Sequence, residues 1–116
     1  MDYNEIFKSR TKNLALEIIR TFSNLKYSDE ISIIRKQVIR SSTSVAANYR
    51  ALCRSRSEKE KFAKLSIVVE EIDETLFWLE IIEELNIIPN EILLKLKTES
   101  EEILKATASY RKRLKN

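Results

Sequence analysis

Not one glycine occurs in this chain of 116 residues, and proline appears once, at Pro89. Tight hairpin turns need residues that accept positive φ, and glycine does so at least cost. Without it the chain has few places to reverse sharply, so long uninterrupted segments must carry the fold. Leu, Glu, Lys, Arg and Ala fill those segments, and these are strong helix formers. Charged residues make up 34% of the chain, enough to coat the outer faces of such helices. The expectation is an all-α protein with a single domain over residues 1–116, long enough for one core and too short for two.

Apolar residues recur at spacings of three and four in four segments. The first helix is predicted from Glu5 to Leu25, with Phe7, Thr11, Leu14, Ala15, Ile18, Phe22 and Leu25 on one face. The second, from Glu30 to Arg54 with Ser28 or Asp29 as N-cap, carries Ile31, Ile34, Val38, Ser41, Ser42, Val45, Tyr49 and Leu52. Ser57-Glu58-Lys59-Glu60 has the pattern of a capping box, so the third helix starts there. Its stripe is Leu65, Val68, Val69, Ile72, Leu76 and Leu79. Asn90, after Pro89, is the expected cap of the fourth, whose stripe is Ile92, Leu96, Ile103, Thr107, Tyr110 and Leu114. Connectors this short join antiparallel neighbours, which predicts an up-down-up-down four-helix bundle.

The same residues exclude much chemistry. There is no histidine, the commonest acid–base residue and metal ligand. Cys53 stands alone, which gives neither a zinc site nor a nucleophile dyad, and it reads as a small half-buried residue. Phosphate-binding glycine loops are impossible. Carboxylates cluster at Glu70, Glu71, Asp73 and Glu74, but di-metal bundles need Glu-x-x-His motifs. No enzyme, cofactor, metal or small-molecule substrate is expected. No segment approaches about 18 apolar residues and no signal peptide opens the chain, so a cytoplasmic protein without membrane contact is expected.

A net charge of +3 conceals strong segregation. Residues 35–64 hold nine basic residues against Glu58 and Glu60, whereas residues 70–102 hold eleven acidic residues against Lys95 and Lys97. From Ile103 onward come Lys105, Arg111, Lys112, Arg113 and Lys115 with no acid. Around the turn between the second and third helices, Arg50, Arg54, Arg56, Lys59 and Lys61 are candidates for nucleic-acid phosphates. The blander possibility is a solvated helix surface with pairing between subunits.

The third helix also carries apolar residues away from its core stripe. Ile67, Trp78, Ile81 and Leu85 share a line about opposite that stripe, interrupted by Glu71 and Glu74. Two apolar faces imply a second partner, and self-association supplies one; the alternative is a twisted bundle in which Trp78 simply caps the edge. Lys36, Arg40 and Ala47 on the second helix are the candidate counterparts, since arginine beside small residues permits close, bidentate pairing with carboxylates. In a hairpin folded near Ser55 and Arg56, positions whose numbers sum to about 111 lie level. Arg40 therefore falls opposite Glu71, with Glu74 one turn on, either within the hairpin or across a subunit boundary.

Gln37-Val38-Ile39-Arg40-Ser41-Ser42-Thr43-Ser44-Val45-Ala46-Ala47-Asn48-Tyr49-Arg50-Ala51 resembles the small bacterial bundle family encoded within intervening sequences of 23S ribosomal RNA genes. A second block of likeness runs from Phe62-x-Lys64-Leu65 through Glu70-Glu71-x-Asp73-Glu74-x-Leu76-Phe77-Trp78-Leu79-Glu80. Many members carry Pro-x-Asn-Ile-Ala-Glu-Gly at the second helix, where this chain has Ala46-Ala47-Asn48-Tyr49-Arg50-Ala51-Leu52. The resemblance implies a non-catalytic antiparallel bundle that assembles into a ring, usually a homopentamer. More distantly similar bundles accompany diversity-generating retroelements, where a basic ring contacts reverse transcriptase and nucleic acid. Two functions follow as expectations: an RNA-associated oligomer, or a structural or adaptor ring whose arginines serve subunit and protein-partner contacts.

Overall fold

The computed structural model describes residues 2–114 as four helices: α1 (Tyr3–Ser23), α2 (Asp29–Cys53), α3 (Glu58–Glu84) and α4 (Asn90–Arg113). Consecutive helices pack side by side and α4 returns to α1, closing an antiparallel bundle 44 × 24 × 20 Å in extent. The long axis follows from helices of 21 to 27 residues rising 1.5 Å per residue.

Side chains define most of the helix starts. Asp2 accepts from the Glu5 amide at 3.0 Å, which begins α1 two residues before the predicted Glu5. Ser28 is the α2 cap, accepting from the Ile31 amide at 3.1 Å. At α3 the capping box forms in a shifted version. Ser57 Oγ accepts from the Glu60 amide at 3.1 Å, but the Glu60 carboxylate reaches back to the Arg56 amide at 3.4 Å rather than to that of Ser57. The expectation for Asn90 is corrected: Pro89 holds the cap position, Asn90 is already helical, and no side chain caps α4.

A glycine-free chain must still end its helices. Asn86 does so after α3 with φ of 53°, the one positive φ among the described residues. Its amide donates to Glu83 O and the Ile87 amide to Ile82 O, at 3.1 and 3.2 Å. This is a Schellman ending with asparagine at the left-handed position, where its short polar side chain is tolerated.

The core joins the inward stripes of all four helices, including Phe22, Val38, Val45, Tyr49, Leu52, Leu65, Ile72, Leu79 and Ile103. On α4 the predicted stripe is out of phase at its start. Ile92 is 39% exposed while Leu93 is buried, because the inward line runs Leu93–Leu96–Ser100–Ile103–Thr107. Ile31 and Val69 are only half-buried, and Leu25 packs on the core from the connector after α1. The buried hydroxyls bond carbonyls one turn back, as Thr11 does to Phe7 at 2.7 Å and Thr107 to Ile103 at 2.7 Å. Among the described residues no buried side-chain polar atom lacks a partner.

Candidate functional site

The topology places three distant segments at one end of the bundle. Tyr3 Oη donates to Ala106 O at 3.0 Å, and the Tyr3 and Tyr110 rings meet edge-on at 5.5 Å. Tyr49 Oη donates to Asn4 Oδ1 at 3.3 Å, which ties the last turns of α2 to the start of α1. The α2–α3 turn and the last turn of α4 therefore share an end. Arg54, Arg56, Lys59 and Lys61 lie there with Arg111, Lys112 and Arg113, while Lys115 falls outside the described residues. Arg50, Arg54, Arg56 and Lys59 are exposed and Lys61 is half-buried. Only Arg56, among these candidates in the described residues, has a carboxylate in reach, Glu60 at 3.9 Å. Arg111, Lys112 and Arg113 also complement the negative end of the α4 dipole, so part of their charge is used structurally.

Cys53 belongs to this end and is packing. Its Sγ lies 3.8 Å from Asn4 O, and burial pushes its thiol above the ordinary value. Burial likewise raises Tyr49, a fully buried phenol whose neutral form suits the core.

The second candidate surface lies along the α2–α3 hairpin. Arg40 donates to Glu71 Oε1 at 2.9 Å and also bonds Glu74, both within the chain. The hydrogen bond from Arg40 holds the Glu74 carboxyl below the usual carboxylate range, with the Trp78 indole N–H adding a bond at 3.3 Å. Ile67 on α3 and Leu85 at its C-cap are exposed, as are Lys36 and Ala47 on α2. Trp78 and Ile81 are half-buried and pack on the core edge, so the second stripe flanks the core face instead of lying opposite it. Sequence periodicity also missed Ile33 on α2 and Phe77 on α3, which are 61% and 50% exposed. Asn48, without an assigned partner from sequence, donates to Ser44 O at 2.9 Å and to Ser44 Oγ at 3.2 Å.

Ion pairs also bind the remaining helices. Arg10, unremarked in the sequence, donates from α1 to Glu99 at 2.9 and 2.5 Å and to Glu102 at 2.7 Å on α4. Lys97 on α4 pairs with Glu83 on α3 at 2.8 Å. No helix among the described residues is long and apolar enough to cross a membrane.

Residues 4–109 match the family model described as 23S rRNA-intervening sequence protein. The chain belongs to that family. A crystal structure from Bacteroides thetaiotaomicron VPI-5482, described as a protein of unknown function from the S23 ribosomal protein family, superimposes with a TM-score of 0.83. It is 29% identical, over 94% of this chain and 97% of that one. A search of curated proteins returned no match. Membership in the intervening-sequence family thus rests on nearly the whole bundle, including the arginine-bearing block on α2 and the carboxylate-rich block on α3.

Proposed function

We propose that this intervening-sequence family member is a non-catalytic, oligomeric bundle that associates with RNA through phosphates at its basic end. The observation that carries the reading is the convergence of the α2–α3 turn and the α4 C-terminus, which gathers cations from both segments on one surface. Arg54, Lys59 and Lys61 have no carboxylate within ion-pair reach among the described residues, so their charge is available to a polyanion. The aromatic rings at this end, Tyr3, Phe7, Tyr49 and Tyr110, pack on one another, and Phe7 and Tyr49 are buried, which favours backbone contacts over base stacking.

Assembly is the second part of the proposal. The exposed Ile67 and Leu85, with Lys36 and the Arg40–Glu71–Glu74 cluster between them, form a mixed surface suited to a head-to-tail contact, whereas Ala47 lies toward α1 beside Lys8 and Lys12. A closed ring of such contacts, a pentamer by resemblance to the family, would repeat the basic end around one rim. Filter binding to structured RNA at low salt should show retention that falls steeply as salt rises. Absence of retention at high protein concentration would leave the adaptor reading, in which the arginines meet only protein.

A further inference from the structure

Three of the four helix seams are bridged by unlike charges: Arg10 to Glu99 and Glu102 between α1 and α4, Arg40 to Glu71 and Glu74 between α2 and α3, and Lys97 to Glu83 between α3 and α4. The α1–α2 seam differs. Lys8 and Lys12 from α1 and Arg50 from α2 border a concave cleft of about 190 Å³ whose remaining lining is Ala46 and Ala47. No ion pair crosses this seam among the described residues, and Lys12 and Arg50 have no carboxylate in reach. Lys8 is held by Glu5 at 3.1 Å within its own helix, with side chains 40% and 54% exposed.

Like charges bordering one concavity repel, and a bound anion relieves that repulsion. The alanines matter because they keep the cleft shallow and open between the cations. Lys12 is exposed, Lys8 is half-buried, and Lys8 and Lys12 stand four residues apart, so they project from the same side of α1. Arg50 offers a planar fork suited to two phosphate oxygens, and the lysines act as point charges beside it.

We infer that the α1–α2 cleft is a phosphate-binding site in which Arg50 clasps a phosphoryl group between Lys8 and Lys12. The inference rests on the proposed RNA association for its larger ligand: the cleft adjoins the basic end, and the RNA backbone would run from the α2–α3 turn onto the side of the bundle. A free phosphate or pyrophosphate offers the same oxyanion, and the test separates the two sources.

Fluorescence anisotropy with a structured RNA, using wild type, a Lys12→Gln/Arg50→Gln variant and an Arg54→Gln/Arg56→Gln variant, is paired with amide chemical shifts during inorganic phosphate titration. All four substituted side chains are exposed, so each variant should fold. The cleft variant is expected to bind RNA about 3- to 10-fold more weakly at low salt, with a log–log salt slope shallower by about 1 to 2. If that variant binds like wild type while the Arg54/Arg56 variant is weakened, the cleft is overturned and RNA association stands. If wild type fails to bind RNA but phosphate shifts the amides of residues 8, 12, 46, 47 and 50, the cleft stands as a small-anion site and the RNA reading falls. Failure of both RNA and phosphate would overturn both.

Discussion

At Arg40, a guanidinium that is 48% exposed donates to carboxylates that are 17% and 36% exposed. Partial exposure keeps the contribution modest, so Arg40→Ala should cost about 1 kcal/mol and lower Tm by roughly 3–6 °C in a thermal melt. Its pH dependence has a defined sign. Arg40 lowers the Glu74 carboxyl from its ordinary value of 4.5, so this stabilisation is present above that pH and fades as pH falls through the lowered value. The Tm gap between wild type and Arg40→Ala should therefore narrow on acidification below pH 4.5; an unchanged gap at pH 3 would count against the pairing. Arg40 was legible in the sequence because a short turn fixes the register of two long helices. Lys8 and Lys12 were not, because an exposed lysine on α1 looks like any solvated face until Arg50 is placed beside it.

Helix ends show what a chain does without glycine. The left-handed position after α3 falls to Asn86 at φ 53°, and the Schellman bonds from Asn86 and Ile87 depend on it. Asn86→Val should destabilise by about 1–2 kcal/mol, since a β-branched side chain opposes that conformation, while Asn86→Gly should be neutral or slightly stabilising. Chemical denaturation of the two variants checks this, and equal midpoints would contradict it. The connector was legible from Asn86 and Pro89, but its details were not. Proline took the cap position expected for Asn90, and the α4 stripe began at Leu93 rather than Ile92. The run Ile92-Leu93-Leu94 offers three apolar residues in a row and so does not fix helix phase by itself; packing against α3 and α1 does. Between α2 and α3, the Ser41 and Thr75 hydroxyls meet at 2.8 Å in a fully buried pair. Replacing Ser41 by Leu there should cost about 1–3 kcal/mol through overpacking, as a urea melt would show.

Across the whole molecule, charge is arranged along the long axis. The basic α2–α3 turn and α4 terminus occupy one end, and Glu80, Glu83, Glu84 and Glu91 surround the α3–α4 connector at the other. The up-down-up-down order inferred from connector length is what brings the basic segments together, so this polarity was implicit in the sequence. The chain's own copies are the proposed partners of the hairpin face. Light scattering should give a mass several times 13.6 kDa, and Ile67→Glu/Leu85→Glu should bring it towards that of one chain without unfolding, because both side chains are exposed. A wild-type mass of a single chain would remove the ring. The central claim is that the basic end takes RNA phosphates, and the salt dependence of RNA affinity tests it most directly. For wild type, log affinity should fall linearly with log salt with a slope of about −3 or steeper, and changing Arg54, Arg56, Lys59 and Lys61 to Gln should make that slope shallower by about 2 or more. Identical slopes for the two proteins, or no binding by wild type at low salt, would contradict it.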